Sequence, residues 1–144
     1  MRVFLMATWV GAAALVACSG EGDDGQGGAD TQTFEQQAEA GAILYGHHCG
    51  HCHGASGEGT VEGPTLVGDD ALPREPRDDQ MRDVQFVTAL DVFEWASTNM
   101  PPTAPGSLSD EQYLQVLAFA LKANGVELAE PVTADVADQI VINP

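Results

Sequence analysis

The side chains best suited to chemistry are gathered at residues 47–53, which read His-His-Cys-Gly-His-Cys-His. Cys49, Cys52 and His53 have the Cys-x-x-Cys-His spacing by which c-type haem is attached. On one short turn, each thiol can add to one of the two vinyl groups of a single haem, and the adjoining imidazole falls beneath the iron. Two other chemistries suit the same residues. Cys-Gly-His-Cys is also the tetrad of thiol–disulfide exchange, in which the first cysteine has a depressed pKa. Cys49, Cys52 and His53 with one of His47, His48 and His51 would supply four zinc donors. The surroundings speak against both. An exchange site follows a strand and opens a helix within a βαβ pattern, and no such pattern flanks these residues. Structural zinc sites take a second ligand pair from a separate element, whereas these donors all lie within seven positions.

The chain has three cysteines, which cannot all pair with one another, so a disulfide framework does not account for them. The third, Cys18, closes a different kind of segment. Arg2 supplies a positive start, and Val3 to Val16 is an apolar run broken only by Thr8 and Gly11. That run is shorter than the about 20 residues that span a bilayer, as expected of an export signal over residues 1–17. Its end, Leu15-Val16-Ala17-Cys18, resembles the lipobox of bacterial lipoproteins. The resemblance implies cleavage before Cys18 and acylation of that residue, each buried methylene contributing about 0.8 kcal/mol to membrane binding. Residues 19–33 contain no large apolar side chain and are rich in glycine. Residues 18–33 are therefore expected to form a lipid-bearing cysteine with a flexible leash. This places the protein on a membrane, facing the periplasm or the cell exterior.

Charge limits the partners. The formal net charge is −17, from 22 acidic against 5 basic side chains, and it becomes one unit more negative when Arg2 leaves. Such a surface repels nucleic acid and anionic headgroups and favours a protein partner with a basic docking face.

The 144 residues leave room for one domain of ordinary size. It begins near Phe34 and reads as all-helical. Thr33 and Gln36 form a capping box for a first helix with apolar Ala38, Ala42, Ile43 and Tyr45. A second helix is predicted over 89–98, with Thr88 as N-cap and Asp91 three residues on. Ser109-Asp-Glu-Gln112 is a second capping box, with Leu108 placed to staple against Tyr113. Leu114, Leu117, Ala118 and Leu121 then recur at helical spacing until Asn124-Gly125 stops the helix. Pro131 ends any helix, and 127–144 reads as a mixed tail whose only strand-like alternation is at 139–142.

Several stretches together resemble class I cytochromes c. They are Gly41-Ala-Ile-Leu-Tyr45, Cys49-Gly-His-Cys-His53-Gly54, Gly57-Glu-Gly59 and Gly63-Pro64-Thr-Leu66 in the first half. In the second half they are Thr98-Asn-Met100-Pro-Pro102, Leu108-Ser-Asp-Glu-Gln-Tyr113 and Val116-Leu-Ala-Phe119. The likeness spans 34–126, and 86–125 also looks like a bacterial subgroup with a Met-Pro-Pro and Pro-Gly-Ser-Leu-Ser loop. It implies a cytochrome c fold of three to four helices around one covalently bound haem c, attached through Cys49 and Cys52. His53 and Met100 would be the axial ligands. Met81, the other methionine beyond the signal, lies in the charged run 74–83. The resemblance also implies a hydrogen bond from His53 to the carbonyl of Pro64, and packing of Gly41 and Tyr45 against Val116 and Phe119. Arg74, Arg77 and Arg82 suit either screening of haem propionates or a solvated loop paired with Asp78, Asp79 and Asp83. His47, His48 and His51 have no role in the pattern.

The function implied is electron transfer without substrate chemistry of its own, by a monomer or by a subunit of a complex. The alternatives are an electron-accepting subunit of a dehydrogenase, towards which the subgroup points, and a thiol–disulfide exchanger using Cys49 and Cys52.

Overall fold

The computed structural model describes residues 32–76 and 82–142. Its helices in chain order are α1 (Phe34–His48), α2 (Gly50–His53), α3 (Ala89–Asn99), α4 (Asp110–Ala123) and α5 (Ala134–Gln139). Among the described residues the only β pairing is a single antiparallel bridge between Thr88 and Val141. The fold is all-α, and the described residues form three long helices and two short ones.

Local chemistry sets where the long helices begin. Thr33 accepts the Gln36 N–H at 3.2 Å while the Gln36 side chain accepts the Thr33 N–H at 3.0 Å, so both donors at the head of α1 are satisfied. Ser109 and Gln112 do the same for α4 at 3.3 and 2.9 Å. At α3 the Asp91 carboxylate accepts the N–H groups of Val87 and Thr88, each at 2.8 Å. Asn124 caps α4, and Gly125 follows at φ 84°, a left-handed turn that suits glycine.

α1 and α4 form the main crossing. A Cβ on Gly41 would stand 1.8 Å from the carbonyl oxygen of Gln115, so only glycine lets these backbones meet. One turn on, the rings of Tyr45 and Phe119 lie 4.7 Å apart, and Lys122 pairs with Glu35 across the same seam. The packing of Gly41 and Tyr45 on the Val116–Phe119 turn is as the sequence implied. Phe34, Ala38, Phe86, Ala89, Leu117, Ala118 and Leu121 fill the core beside this crossing.

Two features were not fixed by the sequence. The segment from residue 127, which the sequence left open between a strap across the domain and a partner contact, packs into the core, which includes Val132, Ala137 and Ile142. Its helix α5 begins at Thr133, whose side chain accepts the Val136 N–H at 3.2 Å. Six residues give too little periodicity to read, and Pro131 precedes this helix rather than ending one. The other is Arg82, which is not the solvated residue that one reading of the charged run implied. It is buried, and its guanidinium donates to the carbonyls of Pro73, Arg74, Glu75 and Val84 at 2.7–3.1 Å. It also stands 3.8 Å from the centre of the Phe86 ring, so its charge organises the loop backbone from inside. Arg77, Asp78, Asp79 and Met81 lie outside the described residues, as do residues 1–31 with Cys18.

Candidate functional site

Cys49 is both the end of α1 and the start of α2. Its N–H donates to the Tyr45 carbonyl at 2.8 Å, while its own carbonyl accepts the N–H groups of Cys52 at 3.1 Å and His53 at 3.0 Å. The chain thus breaks once after α1 and immediately winds another turn, which carries Cys49, Cys52 and His53 together. Both thiols are half-buried, and His53 is 8% exposed. His53 Nδ1 lies 2.8 Å from the carbonyl oxygen of Pro64. A carbonyl only accepts, so Nδ1 carries the hydrogen and Nε2 keeps its lone pair.

The loop after this turn wraps back over it. Gly59 N–H donates to the His53 carbonyl at 2.8 Å, and the Thr60 hydroxyl donates to the Cys52 carbonyl at 2.5 Å. A Cβ on Gly63 would come within 2.7 Å of the Cys52 carbonyl oxygen and 3.1 Å of His53 Nδ1, so glycine is what allows the loop so close. The Tyr45 hydroxyl donates to the Gly54 carbonyl at 2.7 Å. Burial, with the nearby Cys49 and Glu58, pushes this phenol up to about 12, so it remains a donor at neutral pH.

Burial, reinforced by Cys52, pushes the Cys49 thiol up to about 11, opposite in direction to the shift that activates a disulfide-exchange nucleophile. Among the described residues no three His, Cys, Asp or Glu side chains converge as a metal cage. His47, His48 and His51 are exposed, and His51 lies 3.7 Å from Glu62.

Met100 arrives on a different segment. It caps the C-terminal end of α3, its N–H donating to the Ala96 carbonyl at 2.9 Å, and it is half-buried. Its carbonyl accepts the Tyr113 hydroxyl of α4 at 2.5 Å, which ties the start of the Pro101-Pro102 loop to the main crossing.

Residues 36–119, more than half of the chain, match the family described as cytochrome c oxidase, cbb3-type, subunit III. The chain belongs to this family. It is a c-type cytochrome. It is also similar to the crystal structure of the sulfane dehydrogenase SoxCD from Paracoccus pantotrophus, with a TM-score of 0.57 and 27% identity. That likeness covers 74% of this chain and 53% of the other, so the cytochrome spans about half the length of that relative. No curated protein sequence matches it.

As a c-type cytochrome the protein carries electrons on a haem, and its motif turn fits that group. Two thiols share one turn, and the neighbouring imidazole is fixed by Pro64 so that one ring nitrogen is left as a donor to iron. Sequence reasoning missed three residues that support this arrangement. Thr60 pins the loop to Cys52. Tyr113, read only as a staple, holds Met100. Asn124, read only as a stop, donates to the Leu66 carbonyl and accepts the Gly68 N–H, each at 2.9 Å, and so binds the loop after Pro64 to the end of α4. A polar side chain near a helix end was the only available signal for Asn124, and it does not name a partner 56 or 58 positions away.

Proposed function

We propose that this cytochrome holds one haem c through thioether bonds to Cys49 and Cys52, with His53 and Met100 as axial ligands. The haem supplies the one-electron redox change. Cys49 and Cys52 tether, His53 is oriented by Pro64, and the soft thioether of Met100 favours reduced iron. The observation that carries this reading is the 2.8 Å contact of His53 Nδ1 with Pro64 on the turn that bears both thiols. The chain then performs no substrate chemistry of its own. Lipid on Cys18 anchors it, facing the periplasm or cell exterior, and the leash lets the domain reach its partners. A net charge of −17 favours a partner with a basic docking face, in an encounter that slows as salt screens it. A second reading, favoured by the likeness to SoxCD, makes the domain the electron-accepting subunit of a dehydrogenase.

Protein matured with the haem-attachment machinery should show one haem per chain that stays on the polypeptide in acid acetone. Haem that extracts would refute the attachment. Cys18→Ser should release a soluble holoprotein, because attachment of haem uses separate residues; a variant that stays on washed membranes would place the anchor elsewhere.

A further inference from the structure

The segment from residue 127 to 142 lies beyond the residues matched by the family and connects two elements that the site depends on. Its first anchor is Gln37, a buried side chain of α1. The Gln37 amide donates to the Val132 carbonyl at 2.8 Å and accepts the Val132 N–H at 2.6 Å, across 95 positions of sequence. The amide thereby pairs with Val132 as a neighbouring strand would, and satisfies both backbone polar groups of a residue that is 1% exposed. Its second anchor is the head of α3. Ala89 N–H donates to the Ile140 carbonyl at 2.9 Å, and Ile142 N–H donates to the Val87 carbonyl at 3.1 Å. Between the anchors α5 packs on α3, with Ala137 fully buried.

The first N–H groups of a helix have no partner within it. At α3 the Asp91 carboxylate takes those of Val87 and Thr88, and this segment takes that of Ala89. The head of α3 is therefore held from α1 by way of Gln37 and Val132, while its other end is held by Tyr113 through the Met100 carbonyl. An 11-residue helix is a stiff rod of about 16 Å, so movement at its head reaches its last residue. A neutral thioether is a weak donor, and it stays on iron only while its backbone is held in place.

We infer that Gln37 and the 127–142 segment form a clasp that positions Met100 for the iron. This rests on the reading of Met100 as the distal ligand. Gln37 is a positioning residue, acting through Val132, Ile140 and α3 rather than by touching the haem.

The test uses the full holoprotein with imidazole as an added ligand. Two variants loosen the clasp: Gln37→Leu, which removes both bonds to Val132 at similar volume, and a chain shortened to end at Gln139, which removes Ile140 and Ile142. Both should raise the rate at which imidazole displaces methionine by about tenfold, the scale set by losing one or two buried hydrogen bonds. Both should weaken the long-wavelength charge-transfer band of the oxidised protein and speed hydrogen exchange in α3, with α1 and α4 unchanged. Rates within twofold of wild type in both variants would overturn the clasp. Faster exchange spread evenly over α1, α3 and α4 would also overturn it, by showing general destabilisation. Met100→Ala keeps the two readings apart. If it binds imidazole no faster than wild type, Met100 is not the ligand and the clasp falls with it; if it does but the clasp variants do not, only the clasp falls.

Discussion

The turn that bears the thiols and the arm that bears Met100 are held in opposite ways. The turn is held mainly by its own neighbours: His53 finds Pro64 eleven positions on and Thr60 reaches Cys52 across eight, with Asn124 of α4 fastening only the loop beyond, at Leu66 and Gly68. The arm is held by others, with Tyr113 of α4 at one end of α3 and the C-terminal segment at the other. Closing a short loop costs little chain entropy, and closing one across much of the chain requires the rest of the fold to be in place. The attachment turn should therefore resist changes elsewhere, and the methionine arm should register them.

The largest effect that could break this comparison lies in the turn. Gly63→Ala puts a methyl group 2.7 Å from the Cys52 carbonyl oxygen, against backbone that cannot rotate away. It should cost about 3 kcal/mol of stability, measured by chemical unfolding, and sharply lower the yield of holoprotein. A fully stable, fully loaded variant would mean that the loop is not as tightly built as its contacts imply.

On the arm, Tyr113→Phe removes only the hydrogen bond to the Met100 carbonyl. It should cost about 1 kcal/mol and make methionine about fivefold easier to displace by imidazole, with haem attachment intact. Met100→Ala should instead abolish the charge-transfer band and lower the potential, because the donor that favours ferrous iron is gone. An unchanged potential in that variant would remove Met100 from the ligand set.

The smallest effect is the response to acid. The N–H of Thr88, followed by that of Val87, holds the Asp91 carboxyl below the usual carboxylate range. A carboxyl whose pKa is lowered on folding stabilises the protein above its unfolded value, about 3.9, and loses that contribution as pH falls through the folded value. Asp91→Asn should therefore be less stable than wild type at neutral pH, and the gap should close below about pH 4. Thermal unfolding of both proteins across that range checks the sign. A gap that widens in acid would show that the carboxylate does not hold the head of α3.

What the sequence determined by itself is whatever depends on neighbours a few positions apart. The capping boxes at Thr33 and Ser109, the stop at Asn124-Gly125 and the single turn carrying Cys49, Cys52 and His53 are all interactions within one or two helical turns, so residue type and spacing specify them. The α1–α4 crossing was legible through the family resemblance, which named the partner helix, while the one-turn spacing of Gly41 and Tyr45 put both on one face of α1. Tertiary structure alone decided the fate of polar groups whose partners lie far along the chain. Arg82 belongs to a run of charges that reads as solvated, yet four carbonyls and the face of Phe86 surround its guanidinium. Gln37 looks like any polar residue on a helix, yet it is buried against Val132. Burial of such groups becomes favourable only when distant backbone supplies the missing hydrogen bonds, and spacing along the chain contains no trace of that supply.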